Sequence, residues 1–291
     1  MLAVPDAAES SAAEVRRVKQ MVLEMLFLFF LIAGLCALAY RGAIHEFQIL
    51  QKDYEEENNW SELLGEELPL VIRGLPKSWL GGWTQKHTAN KTWLLHVRNG
   101  NKKLKTTWTN WLSTPAPRPL PESMKEIAAV SRLDHAFSNW TADGFRRWSY
   151  LPTGVPAPFV LSEPQYIGVR KTTAEQTVIT ATDGAPLELW IAHEGAIPAN
   201  VADDLAGKDP WTQTTADIPW IGEVKYVEMK LRPGNAVVLP KHWWWALRPA
   251  AQQEKEQTDA WFWVSSLHTP ISWIATKAKG GEPPLPSMPK N

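Results

Sequence analysis

The hydrophobic and polar positions of this chain fall into two regimes. Residues 21–40 are apolar apart from Glu24 and Gly34. About 20 residues at ~1.5 Å rise cross the ~30 Å hydrocarbon core of a bilayer, so this run predicts one transmembrane helix. Proline is absent from residues 13–58. Ile44, Phe47, Ile49 and Leu50 continue at approximate helical spacing, which predicts that the helix runs on into an acidic stalk. From residue 59 onward the apolar runs shorten and turn residues separate them, as in a β-rich domain.

Within that second regime, residues 68–75 predict a strand and turn, and residues 92–97 a second strand. Asn99-Gly100 is a hairpin signal. Lys102, Lys103 and Lys105 follow it and read as a solvated hairpin. Residues 121–137 predict one helix, with Pro121 in its first turn and Met124, Ile127, Ala128, Leu133 and Phe137 as its apolar face. The Pro-rich residues 152–164 predict a connector. Residues 177–182 are β-branched, Asp183-Gly184 is a turn, and residues 187–192 form the expected return strand. Residues 193–222 hold Pro, Gly and Asp with one short helical patch and read as an insertion. Further strands are expected over 224–231, 236–239 and 260–266. The expected division is a tail (1–20), a transmembrane helix and stalk (21–58), a mainly β domain (59–275) and a Pro-rich tail (276–291).

The chain is organised around residues 231–248. Pro233-Gly234 is a turn pair. Ala236 to Leu239 read as a buried strand ending at Pro240, and Trp243, Trp244 and Trp245 follow. On a strand Trp243 and Trp245 share one face and Trp244 takes the other; His242 is then expected on the face opposite Trp245. This order of turn, apolar strand, Pro and Trp-Trp resembles the cupin-like (Jumonji-C-like) domains of the iron/2-oxoglutarate oxygenase superfamily. Pro69, Val71, Ile72, Arg73, Gly74 and Trp79 resemble the entry of the same domains. The resemblance covers roughly residues 66–268 and implies a double-stranded β-helix (jelly roll) with flanking helices. It also implies an iron site made of His-x-Asp and a distant His. Taking Gly184 as the turn glycine that follows the His-x-Asp pair, those positions fall on Lys171, Thr173 and Trp245. A Thr hydroxyl is a poor ligand for a cation that favours imidazole and carboxylate, and an indole offers no lone pair. The resemblance therefore implies the fold without the metal, a non-catalytic domain with no cofactor.

Composition narrows the setting. The 30 basic and 31 acidic residues nearly cancel, which argues against a nucleic-acid partner. The 17 tryptophans suit a large β core or a partner-facing surface. Cys36, the single cysteine, lies in the apolar run. The β domain can therefore form no disulfide, which disfavours the secretory pathway; sequons at Asn59, Asn90 and Asn139 pull the other way. His193, His242 and His268 have no spacing that supports a zinc site and read as ordinary hydrogen-bonded or surface histidines. Glu24 is expected to reach the headgroups or to meet another membrane helix. Ala33 and Ala37 have small-xxx-small spacing.

The expected protein is thus an accessory subunit of a large membrane complex. Its partners are other subunits and the lipid bilayer. The mitochondrial inner membrane is the favoured setting, with a membrane-anchored ER or Golgi oxygenase as the alternative.

Arg16, Arg17 and Lys19 precede the apolar run, and Arg41 with the acidic residues 53–57 follows it. This bias places the N-terminus on the cytosolic or matrix side. Protease added from that side is expected to spare residues 60–291, and digestion of those residues would reverse the orientation.

Overall fold

The computed structural model describes residues 19–36, 48–55, 57–89, 91–99, 102–113, 124–139, 151–152, 156–198, 202–219, 221–250, 259–269 and 274. The chain divides into two compact units, residues 1–47 and 48–291. The second is mainly β.

In the first unit, helix α1 (Lys19–Cys36) has a mean hydropathy of 1.8 over its 18 residues. It is long and apolar enough to cross a membrane. Glu24 is not bare: Gln20 Nε2, one turn earlier, donates to its Oε1 at 3.2 Å. At ~100° per residue, Glu24 and Ala33 lie on opposite sides of the helix. Ala37 lies outside the described residues.

The second unit begins before the expected boundary. Residues 50–53 are not a helical stalk but strand β1 (Leu50–Asp53), parallel to β2 (Leu70–Arg73). Arg73 Nε meets Asp53 Oδ1 at 3.0 Å. Between these strands lies α2 (Trp60–Gly65). Its N-cap Asn59 accepts from the Glu62 amide at 3.4 Å and donates to Glu62 Oε2 at 3.1 Å, a reciprocal pairing of the capping-box type. Short helices α3 (Lys77–Leu80) and α4 (Gln85–Thr88) follow. Strands β3 (Leu94–Asn99) and β4 (Lys102–Thr107) pair antiparallel with Asn99 opposite Lys102, as the Asn-Gly signal predicts. Helix α5 (Trp108–Ser113) comes next.

The single helix expected over 121–137 is two, α6 (Met124–Val130) and α7 (Leu133–Asn139). Arg132 takes φ 55°, and the Ser131 carbonyl accepts from the Gly82 amide at 2.6 Å. The buried positions explain the break. Ile127, Ala128 and Ser131 lie on one helical face, but Leu133 and Ala136 fall out of phase with it. The expected connector 152–164 also contains structure. After β5 (Leu151–Pro152), β6 (Ala157–Leu161) pairs with β13 (Ala260–His268). Pro158 is tolerated because β6 has a partner strand on one side only.

The remaining strands are β7 (Ile167–Lys171), β8 (Gln176–Gly184), β9 (Leu187–His193), β10 (Val227–Leu231), β11 (Ala236–Pro240) and β12 (Trp243–Pro249). One sheet has seven strands in the order β1-β2-β11-β8-β13-β5, with β6 also on β13; the second has the order β10-β9-β12-β7. β9 is therefore not a return strand of β8. Gly184, at φ 77°, carries the chain from the first sheet into the second.

Both sheets bury apolar residues on both faces, while the edge strands β1 and β10 expose polar ones. Val178, Ala236, Val238, Trp261 and Trp263 pack outward against Trp60, Trp79, Trp83, Trp108 and Leu133. Trp83 meets Trp108 edgewise at 5.4 Å and Trp261 at a tilt at 5.1 Å, and its Nε1 donates to the Phe159 carbonyl at 2.9 Å. On the other sheet Val169, Trp190, Ala192, Trp244 and Ala246 pack against Ile197, Leu205, Ile218 and Val224. The segment read as an insertion, with helix α8 (Ala202–Leu205), is thus a cover for that face. Its backbone seats directly on β7. The Val169 amide donates to the Lys208 carbonyl at 2.9 Å and the Gly207 amide to the Val169 carbonyl at 2.7 Å. A Cβ on Gly168 would stand 2.2 Å from the Gly207 oxygen. The alternate residues Ile179, Val237, Leu239 and Phe262, and Leu187, Leu189, Ile191 and Leu247, are buried on the remaining faces. Short corners join the sheets at Gly184, at residues 232–235 and at 241–242, so these inner faces meet. The Pro-rich tail 276–291 lies outside the described residues.

A Cβ at Gly184 would stand 1.8 Å from the Asp259 carbonyl oxygen, at a φ that disfavours L side chains. Gly184→Ala is expected to destabilise the β unit by on the order of 3 kcal/mol or more, seen as a lowered thermal midpoint of the full chain in detergent.

Candidate functional site

Four strand ends converge at one end of the inner faces: the C-termini of β7 and β9, the N-terminus of β12 and the turn that leaves β11. Register fixes which side chains share a face. Trp245 stands opposite Arg170 and Ile191, Trp244 opposite Lys171 and Ala192, and Trp243 opposite His193. Directly opposed residues point to the same side of a sheet. Trp244 faces outward with Ala192 and Val169, so Lys171 belongs to the outward face. Trp243 and Trp245 face inward.

This corrects the assignment of Lys171, Thr173 and Trp245 to one site. Thr173 is exposed just beyond β7. The inward residue opposite Trp245 is Arg170, one position before Lys171. Its guanidinium sits 5.5 Å from the centroid of the Trp245 ring, within the range of cation–π attraction. Trp245 is 3% exposed and Trp243 4%. Both rings are therefore packed into the interior, with the Arg170 guanidinium beside Trp245.

Outside this packed centre stands a cluster of charge. Strand β9 stops at His193, and Glu194 opens a 3₁₀ turn, Glu194–Ala196. The Glu194 carboxylate takes the Lys171 ammonium on Oε1 and His242 Nδ1 on Oε2, the latter at 2.6 Å. The Glu194 amide donates to the His242 carbonyl at 2.8 Å. His242 lies in the turn before β12 at φ 72°, not on the strand as expected. His193 packs edgewise on Trp243 at 5.2 Å, and its Nδ1 accepts from the Gly195 amide at 3.1 Å. That acceptor role places the neutral ring's proton on Nε2.

Burial alone would raise the Glu194 pKa, but hydrogen bonds from Lys171 and His242 outweigh it and hold the carboxyl below its ordinary value of 4.5. A carboxylate with a depressed folded pKa adds stability above its unfolded pKa and loses it as pH falls through the folded one. Burial first, and the charge of His242 second, lower His193 below its ordinary 6.5. The side chains of Lys171, Glu194 and His242 are 35%, 43% and 54% exposed, so each ion pair contributes about 0–1 kcal/mol.

His242 bonds the Glu194 carboxylate and His193 caps the turn that Glu194 opens, while His268 is buried on β13 in the other sheet. Among the described residues no group of three or more His, Cys, Asp or Glu is placed to hold a metal ion. Sequence reasoning missed the Glu194 cluster because it ended the strand at residue 192 and read Glu194 as part of an insertion, with nothing to bring Lys171 and His242 to it. Gly195, directly after Glu194, was the signal that the chain turns there. Models of known protein families and the curated proteins give no match to this chain.

Trp245→Ala removes a buried indole and the surface under Arg170. The expected cost is on the order of 3–5 kcal/mol, read from denaturation midpoints of variant and parent.

Proposed function

We propose that the chain is a non-catalytic, single-span membrane protein whose β unit is a degenerate cupin-like jelly roll that docks other subunits of a large membrane complex. The observation that carries this reading is the Arg170–Trp245 pair on the buried inner face. A cation and an indole occupy the strand end where the family resemblance calls for metal ligands, and neither binds a metal ion. The strand order supports the fold reading. From β6 to β13 the strands divide as β11-β8-β13-β6 in one sheet and β10-β9-β12-β7 in the other, the arrangement of eight strands in two packed sheets typical of jelly rolls. Helix α1 supports the anchor, with the basic flank on the cytosolic or matrix side. A β unit without cysteine suits the intermembrane space of mitochondria better than a disulfide-forming lumen.

Three measurements on protein purified from native membranes in mild detergent test the proposal. The chain is expected to migrate in an assembly well above its own 32.8 kDa, with no stoichiometric iron and no turnover of 2-oxoglutarate. Trp245→His is expected to restore neither. A monomeric native-gel band overturns the subunit reading. Stoichiometric iron with cosubstrate turnover overturns the non-catalytic one and makes the chain a membrane-anchored oxygenase.

A further inference from the structure

The two histidines that flank Glu194 have opposite requirements. His242 must present a proton on Nδ1, because its partner is a carboxylate at 2.6 Å. His193 must keep Nδ1 unprotonated, because that atom accepts from the Gly195 amide. Three chain segments depend on this arrangement: the end of β7 through Lys171, the 3₁₀ turn after β9 through Glu194 and Gly195, and the β11–β12 turn through His242. The last of these holds a non-glycine residue at φ 72°, a conformation that persists only where its surroundings enforce it.

We infer that this end of the four-stranded sheet is a pH-sensitive latch, closed while His193 is neutral and released when His193 takes a proton. Protonation places an N–H on the ring atom that faces the Gly195 N–H, so two donors oppose each other. The ring must turn, which ends its edgewise contact with Trp243 and frees the cap of the 3₁₀ turn. Of the charged groups around His193, His242 opposes its protonation and the Glu194 carboxylate favours it, the smallest of the three influences after burial and His242. His242 adds a second cation nearby, Lys171 and His242 occupy both oxygens of Glu194, and Lys241 is paired with Glu175 at 3.8 Å. A ring whose folded pKa is depressed stabilises the closed state above its ordinary value, and that stability is lost as pH falls through the folded one. The Glu194 carboxyl is held below its ordinary value, so the group whose protonation opens the latch is His193 rather than Glu194.

Hydrogen exchange of the full chain in detergent, read by mass spectrometry at peptides covering residues 190–198 and 240–244, tests the latch between about pH 7.5 and about pH 5. After correction for intrinsic exchange, protection at both peptides is expected to fall about tenfold or more toward acid pH, with β8 and β13 unchanged. His193→Asn keeps a cap acceptor that cannot titrate and is expected to abolish the pH dependence. Glu194→Gln is expected to show the low protection already at neutral pH. Unchanged protection in the wild type across the range overturns the latch. So does a His193→Asn variant that loses protection over the same pH interval as the parent, or a Glu194→Gln variant as protected as the parent at neutral pH.

Discussion

The structure depends on covering two sheets on all four of their faces. Tryptophan is the means. A ring of this size buries far more area than an aliphatic side chain, and the chain places one or more at each layer. Trp83, Trp108 and Trp261 join the N-terminal helices to the larger sheet. Trp190 and Trp244 lie beneath the cover of the smaller one, and Trp243 and Trp245 face the interior between them. Residues 48–139 and 193–224 are therefore parts of the β unit rather than decorations of it. Without them two apolar sheet faces would stand in water.

The same packing decides what the end of the sandwich can do. The interior is closed by Arg170 and Trp245, and charge is pushed to the rim, where Lys171, Glu194 and His242 remain partly solvated. Ion pairs of that exposure contribute little to global stability. Their effect is local: they fix the geometry of two turns that no regular hydrogen-bond ladder holds.

Much of the strand content was legible in the sequence. β-branched runs, the Asn-Gly hairpin and the Pro-Gly turn each mark a local preference that the fold keeps. Faces and partners were less legible, because they are settled by contacts distant in sequence. The helix over 121–137 breaks because Leu133 and Ala136 must meet α3 and its neighbours out of phase with Ile127. Residues 50–53 pair with β2 although their spacing suited a helix. Counting from a turn glycine grouped Lys171 with Trp245, but the residue paired opposite Trp245 is Arg170, and on a strand one residue is the difference between the two faces. The alternation of Trp243, Trp244 and Trp245 between the two faces needed no such count, and the register keeps it.

The seating of the Gly207 backbone on β7 has a consequence for self-association. A strand at the edge of a sheet offers unpaired amides and carbonyls to any passing chain, and stacking without limit needs such an offer at both ends. Here the Val169 amide and carbonyl are already bonded to residues 208 and 207, and a side chain at Gly168 would collide with the Gly207 backbone. The four-stranded sheet is sealed along this border by its own covering loop. Addition of further strands there would first require that loop to lift, which protects a tryptophan-rich chain from growing into fibres by that route.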